Sequence, residues 1–191
     1  DEGDLAGADE VLLELRVMYD RGRLNTAETL RLWQFYANFA ALEEKYADAI
    51  IYQELILDMD EDALTPEARE SALLLLGQLN YAVEDYYGAI DAYLEYLDFA
   101  LEQYINVYQR ISIAYYTMEE YTNALPYILE YMDQTRAQGE QVDKNTYELA
   151  RSLYLLLEDY VNTLQITREM IVLFREPSDW ELMANILGAM E

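Results

Sequence analysis

The stretch LLLLGQLNYAVEDYYGAIDAYLEYL, residues Leu73–Leu97, predicts two amphipathic helices joined by a tight turn. In both halves apolar residues recur at i, i+3, i+4 and i+7, the spacing that places a buried stripe along one face of a helix. Gly77 lies in the first helix and Ala89 in the second, and such small residues allow two helices to approach closely. A lone hairpin cannot bury both of its faces, so this stretch predicts neighbouring hairpins of the same kind.

Copies of one turn supply those neighbours. The segments EKYADAI, EDYYGAI, EEYTNAL and EDYVNTL begin at residues 44, 84, 119 and 158, so the intervals between them are 40, 35 and 39 residues. In each copy a tyrosine stands three residues before a small residue: Tyr46, Tyr86, Tyr121 and Tyr160 precede Ala49, Ala89, Ala124 and Thr163. A period of this length is typical of a helical solenoid, in which each repeat packs on the next.

The predicted organisation is a single solenoid over residues 1–191, with hairpins at about 26–60, 67–99, 104–136 and 145–174. A helix over Leu5–Tyr19 precedes them, and another starts at Pro177. These two outer segments resemble halves of a repeat. We therefore expect the chain to be a piece of a longer solenoid, or its ends to pair with another copy.

The charge of the chain is one-sided, with 38 acidic against 12 basic residues and a net charge of −26. Such a field repels a phosphate backbone and an anionic lipid surface, so nucleic-acid and membrane-surface partners are disfavoured. No apolar run reaches the ~18 residues that a membrane-spanning helix needs. The acidic surface is explained either by adaptation to high salt, which screens self-repulsion, or by ordinary solvation.

Cysteine and histidine are both absent. Their absence removes disulfides, thiolate nucleophiles, the commonest general base and the commonest transition-metal ligand. The acidic run Asp58–Asp62 resembles the start of a calcium loop, but Ala63 replaces the required glycine and Arg69 the closing glutamate. The sequence therefore predicts no enzyme, no cofactor and no metal site.

The pattern inside the hairpins resembles that of the tetratricopeptide repeat (TPR) family. This family has a large residue, Leu, Gly or Ala, and Tyr along its first helix, and Ala in its second. The matching first-helix residues are Trp33, Tyr36 and Ala37; Leu73, Leu76 and Gly77; Tyr108, Ile111, Ser112 and Tyr115; Tyr147, Ala150 and Tyr154. Departures are the longer intervals, Arg151 in place of a small residue, and Thr163 in place of Ala. The resemblance implies an all-α, right-handed superhelical solenoid of antiparallel helix pairs.

A narrower resemblance is to the periplasmic TPR proteins that accompany TonB-type energy-transducing systems. It rests on an initial half-repeat, the loop Leu24-Asn25, a helix with Trp33 and Tyr36, and a late helix that starts before Trp180. It implies a periplasmic location and a role in binding a protein or a small ligand.

First helices line the concave face of a TPR solenoid, and the family register places a row of polar side chains there. Amide groups suit a peptide backbone or an amino-acid head group, tyrosines add apolar faces, and arginine pairs with a carboxylate. We therefore expect a protein or peptide partner, or alternatively a free amino acid. The remaining interpretation is that these residues only form a hydrated inner wall. The candidate binding residues are Gln34, Asn38, Gln78, Tyr81, Asn106, Gln109, Arg110, Tyr116 and Asn145, with Ser71 and Leu74 in the same rows.

Overall fold

The computed structural model describes residues 13–60, 63–100 and 104–189, and within them the chain is helical with no strand. Within the described residues, helices occupy the four segments in which the sequence predicts hairpins. The predicted start of the first helix at Leu5 lies outside the described residues. The helices are α1 (residues 13–20), α2 (Thr26–Leu42), α3 (Tyr46–Leu57), α4 (Pro66–Ala82), α5 (Tyr86–Phe99), α6 (Asn106–Thr117), α7 (Tyr121–Ala137), α8 (Lys144–Leu156), α9 (Tyr160–Phe174) and α10 (Pro177–Ala189).

The chain divides into two compact units, unit 1 over Asp1–Leu101 and unit 2 over Glu102–Glu191. In unit 1, α2 packs on α3, α3 on α4, and α4 on α5. In unit 2, each helix from α6 to α9 packs on the helix that follows it. Packing between sequence neighbours is the pattern of repeat proteins, and it confirms the predicted all-α fold class. A single continuous solenoid over both units stays a prediction.

The four predicted turns share one backbone geometry. Two residues after the end of each first helix stands a glutamate in the left-handed region, with φ of 58° at Glu44, 63° at Glu84, 62° at Glu119 and 58° at Glu158. The next N–H then donates to the carbonyl five residues earlier, as Asp85 does to Asn80 at 2.9 Å. This is the Schellman motif, whose left-handed residue is usually glycine. The repeated glutamate was visible in the sequence, but its left-handed conformation was not.

The small residue of each second helix is fully buried, because Ala49, Ala89, Ala124 and Thr163 all have 0% exposure. Gly77 does not pack against another small residue, as the sequence predicted, but against an aromatic ring. A Cβ built on Gly77 would lie 2.6 Å from Cδ1 and 2.7 Å from Cζ of Tyr93. The ring of Tyr93, itself only 1% exposed, fills the space that the glycine leaves. Close approach of α4 and α5 is therefore confirmed, with an aromatic ring as the group that approaches.

Tyrosines of the repeated turn position do not all share one environment. Tyr46, Tyr86 and Tyr121 are half-buried, whereas Tyr160 is 39% exposed. Tyr160 is followed in α9 by Thr163 rather than by alanine. The repeat is thus best preserved in the first three hairpins.

Arg151 takes the position where the repeat pattern has a small residue. Its guanidinium lies 2.5 Å from Oδ1 of Asp179, so the side chain reaches from α8 to α10. Asp179 is 2% exposed, and its burial is compensated by this ion pair. The departure from the repeat pattern therefore serves to attach α10 to the rest of unit 2.

Candidate binding surface

A small cavity in unit 1 lies between α2, α3 and α4. Its volume is about 170 Å³. It brings together two of the predicted binding residues, Gln34 and Asn38, and adds residues from the two neighbouring helices. The lining residues are Gln34, Asn38, Gln53, Ile56, Ala68, Ser71, Ala72 and Leu75.

Helix α2 presents its two amides side by side because Gln34 and Asn38 are one turn apart. Its other face carries the buried Leu32, Trp33 and Ala37, which hold the helix in the core. The start of α2 is secured by a capping box between Asn25 and Glu28, with both hydrogen bonds at 2.9 Å. The amides therefore stand on a helix that is fixed at its start and along its length.

Helix α4 contributes a row of small and aliphatic groups. Ala68, Ser71, Ala72 and Leu75 follow the i, i+3, i+4, i+7 spacing of one helix face. Leu75, rather than the predicted Leu74, lines the cavity beside Ser71. A shift of one residue in a helix is a rotation of about 100°, so the expected row on α4 was slightly misplaced.

Gln53 of α3 is a site residue that the sequence reasoning missed. Its side chain lines the cavity, it is only 4% exposed, and Oε1 has no hydrogen-bond partner among the described residues. Gln53 stands four residues after the small residue Ala49. The equivalent residues of the other hairpins are Tyr93, Ile128 and Thr167. A carboxamide at this buried position of the repeat was the feature of the sequence that could have identified Gln53.

The cavity wall is polar without being charged. None of the described residues that line it carries a charge. The Ser71 hydroxyl donates to the Glu67 carbonyl at 2.8 Å, so its oxygen is left to accept. Three carboxamides supply both donors and acceptors, while Ile56 and Leu75 supply apolar contact. Such a wall suits the amide groups of a peptide.

The other two predicted residues of unit 1 do not line this cavity. Gln78 is exposed on α4. Tyr81 packs edge-to-face on Tyr86, with ring centroids 5.2 Å apart. Burial, the Glu84 charge and Tyr81 together raise the pKa of Tyr86 above its usual value. Through its ring contact with Tyr86, Tyr81 therefore stabilises the turn between α4 and α5.

In unit 2 two of the predicted amides are engaged in contacts within the protein. Gln109 donates from Nε2 to the hydroxyl of Thr146 at 3.1 Å, which links α6 to α8. Asn106 donates from Nδ2 to the hydroxyl of Tyr104 at 2.7 Å. These hydrogen bonds give both side chains a structural role that the sequence did not reveal.

The remaining predicted residues of unit 2 have varied surroundings. Tyr116 packs against Tyr121, with ring centroids 5.7 Å apart. Arg110 is half-buried in α6, and Asn145 is exposed in the first turn of α8. Among the described residues, the structure brings Gln34, Asn38 and Ser71 together at a cavity and leaves the other predicted residues outside it.

A second surface of unit 1 holds two wider depressions of about 470 and 510 Å³. They share Arg69 and Glu95, whose side chains form an ion pair at 2.7 Å. The guanidinium also lies 5.5 Å from the ring centroid of Phe99. Because Arg69, the only cation among the described residues that line it, is already paired, this surface offers a weaker case for a ligand than the amide-lined cavity, despite its greater volume.

The described residues contain no group of three or more His, Cys, Asp or Glu side chains arranged to hold a metal ion. None of the described helices combines the length and hydrophobicity that crossing a membrane demands. Part of the acidic run Asp58–Asp62 lies outside the described residues.

No protein-family model matches the chain, and no curated protein does. Solved structures resemble it over most of its length. MamA from Desulfovibrio magneticus RS-1 is 15% identical with a TM-score of 0.62, covering 85% of each chain. YrrB, a TPR protein with an unusual peptide-binding site, is 12% identical with a TM-score of 0.61, covering 92% of this chain and 83% of its own.

PilF of Pseudomonas aeruginosa is 19% identical with a TM-score of 0.55, covering 96% of this chain and 75% of its own. Identities this low leave function open, because one fold serves many functions. The likeness agrees with the repeated hairpins, the buried small residues and the shared turn geometry. The chain therefore has the fold of a tetratricopeptide repeat protein.

Proposed function

We propose that the chain is a non-enzymatic scaffold that binds an extended peptide segment of a protein partner. The observation that carries this proposal is the amide-lined cavity of unit 1, where Gln34 and Asn38 stand on a rigid helix. An extended peptide has unpaired backbone N–H and C=O groups, and carboxamides can satisfy both. YrrB, a protein of the same fold, has a peptide-binding site, which supports the proposed role for this chain.

A peptide library displayed on phage tests this proposal with the whole chain as bait. Selected peptides are then titrated against the wild type, the double variant Gln34→Ala/Asn38→Ala and the control Gln165→Ala, which removes an exposed amide from α9. Each lost hydrogen bond contributes about 1 kcal/mol, so the double variant should bind roughly 30-fold more weakly. Equal affinity for the double variant and the wild type would show that the peptides bind elsewhere.

A second candidate function is a receptor for a free amino acid or a short peptide. The cavity volume of about 170 Å³ favours this candidate, because it is below the ~300 Å³ at which drug-sized pockets begin. A thermal-shift screen of amino acids and dipeptides separates the two functions. A saturable shift with a free amino acid supports the receptor, whereas binding of longer peptides alone supports the scaffold.

We further propose a periplasmic location and an association with a TonB-type transport system. The support is the sequence resemblance at Leu24-Asn25, Trp33 and Tyr36. Fractionation of the native cells with an antibody against this chain provides the test. Recovery of the chain with cytoplasmic markers would contradict the periplasmic location.

A further inference from the structure

We propose that the cavity of unit 1 is a subsite for a primary carboxamide, the side chain of a glutamine or asparagine in the bound peptide. In this proposal Gln53 is the residue that determines specificity. The inference rests on the proposed peptide-binding function and adds the chemical class of the group that is recognised.

Gln53 lines the cavity with a side chain that is only 4% exposed, and Oε1 is closed to water without a hydrogen-bond partner among the described residues. An acceptor that is removed from water and left unpaired destabilises a folded protein. A turn of the carboxamide about its last bond brings Oε1 to the cavity, where an N–H of the ligand pairs with it and relieves this cost. The site therefore favours donors.

The wall offers acceptors to such a donor. The Ser71 hydroxyl is committed to the Glu67 carbonyl at 2.8 Å, so its oxygen is left to accept, and the turned Gln53 carboxamide adds a second acceptor. A primary carboxamide has two N–H donors for them and one oxygen that can accept from Gln34 or Asn38. It is the complement of this wall.

The uncharged wall also selects against charged ligand groups. A carboxylate has no N–H to donate and would face the acceptors of Gln53 and Ser71 with a negative charge. An ammonium or guanidinium group would enter a wall whose described residues include no carboxylate to pair with it. A site that presents unpaired polar groups discriminates strongly against ligands that cannot pair them. The preferred ligand group is therefore a neutral donor.

The size and shape of the cavity fit a single amide side chain. A volume of about 170 Å³ accommodates one side chain rather than a folded element. Ile56 and Leu75 offer aliphatic surface to the methylene groups of the ligand, and Ala68 and Ala72 leave room between them. A glutamine or asparagine side chain combines these methylenes with the carboxamide.

The test titrates the full isotopically labelled chain by NMR with three blocked amino acids: N-acetylglutamine methylamide, N-acetylglutamate methylamide and N-acetylnorleucine methylamide. High salt screens the net charge of −26, so that long-range repulsion does not bias the glutamate probe. The expected result is saturable shifts of the Gln34, Asn38 and Gln53 amide signals by the glutamine probe. The other two probes should bind at least tenfold more weakly. Equal binding of the three probes, or no saturable shift, overturns the proposal.

The decisive variant is Gln53→Met, which keeps the length of the side chain and removes the buried acceptor. We expect it to fold with an unchanged or higher melting temperature and to lose at least tenfold in affinity for the glutamine probe. Gln165→Met, on the exposed face of α9, is the matched control and should leave that affinity unchanged. Gln34→Met, at a half-buried position, provides a second variant that should also lose affinity if Gln53→Met fails to fold.

If Gln53→Met binds the glutamine probe as tightly as the wild type, the inference is overturned. If Gln53→Met does not fold, the same result in Gln34→Met overturns it. The proposed function can survive this outcome. It stands if library peptides lose affinity in Gln34→Ala/Asn38→Ala yet tolerate replacement of their own glutamines by glutamate. If the double variant also binds those peptides normally, the proposed function falls as well.

Discussion

Replacing Gly77 by alanine in α4 is expected to destabilise unit 1, although alanine is the better helix former. In a helix interior the change from glycine to alanine contributes about 1 kcal/mol of stability. The new Cβ would lie 2.6 and 2.7 Å from two ring atoms of Tyr93, whereas carbon atoms pack at about 3.5–4.0 Å. The ring would have to move by roughly 1 Å in a core where it is 1% exposed.

Overpacking of this kind costs about 1–3 kcal/mol. Because Tyr93 is enclosed, the upper part of that range applies, and the net loss for Gly77→Ala is about 1–2 kcal/mol. Urea denaturation followed by circular dichroism measures this loss in the free energy of unfolding. In a Tyr93→Leu background the ring is gone, and Gly77→Ala should then stabilise by up to about 1 kcal/mol.

Gly188→Ala is the matched control, because a Cβ there meets no heavy atom within 4 Å. It should leave stability unchanged or raise it slightly, since Gly188 lies near the end of α10. If Gly77→Ala were as stable as the wild type, or if the Tyr93→Leu background did not reverse its effect, contact with the ring would not explain the glycine.

Three further predictions concern the turns, the buried ion pair and the tyrosines. Glu84→Gly should raise the free energy of unfolding by about 1 kcal/mol, because glycine adopts the left-handed φ of 63° without the penalty of a side chain. Denaturant unfolding measures this free energy, and a loss of stability would contradict the turn geometry. Arg151→Met should cost about 3–5 kcal/mol by leaving Asp179 buried without its partner, and adding Asp179→Asn should recover part of that cost; no recovery would argue against the pair. Burial first, and then nearby carboxylates and a phenol, raise the pKa values of Tyr108 and Tyr154 above the usual 10.0. Since the unfolded chain loses these protons first, stability should fall as pH rises through and above 10. The free energy of unfolding, measured at pH 9 and pH 11, should therefore fall less between the two pH values in Tyr154→Phe than in the wild type.

The helices and their order could be predicted because the information is local. Apolar spacing within one segment decides which face of a helix is buried, and the recurring turn marks where each hairpin reverses. The start of α4 is local in the same way, because Pro66 is its first residue and the Thr65 side chain accepts from the Ala68 N–H. Gln34 and Asn38 were found for the same reason, because residues one turn apart share a face in any helix.

The environment of a side chain depends on which other helix lies opposite, and this is where the predictions failed or were incomplete. Gln109 was expected on a binding face, yet it donates to Thr146 two helices further along. Arg151 looked like a defect in the repeat, yet it pairs with Asp179. Neither partner follows from spacing, because both contacts join different hairpins or helices.

The sequence alone therefore determined the all-α repeat fold and the placing of Gln34 and Asn38 on one helix face, since these follow from periodicity within single helices. The tertiary structure decided that the space beside Gly77 belongs to the ring of Tyr93. It also decided that Gln53 lines a cavity with Gln34 and Asn38. Both outcomes depend on how neighbouring helices pack, because burial, close contact and an unpaired acceptor exist only once those helices meet.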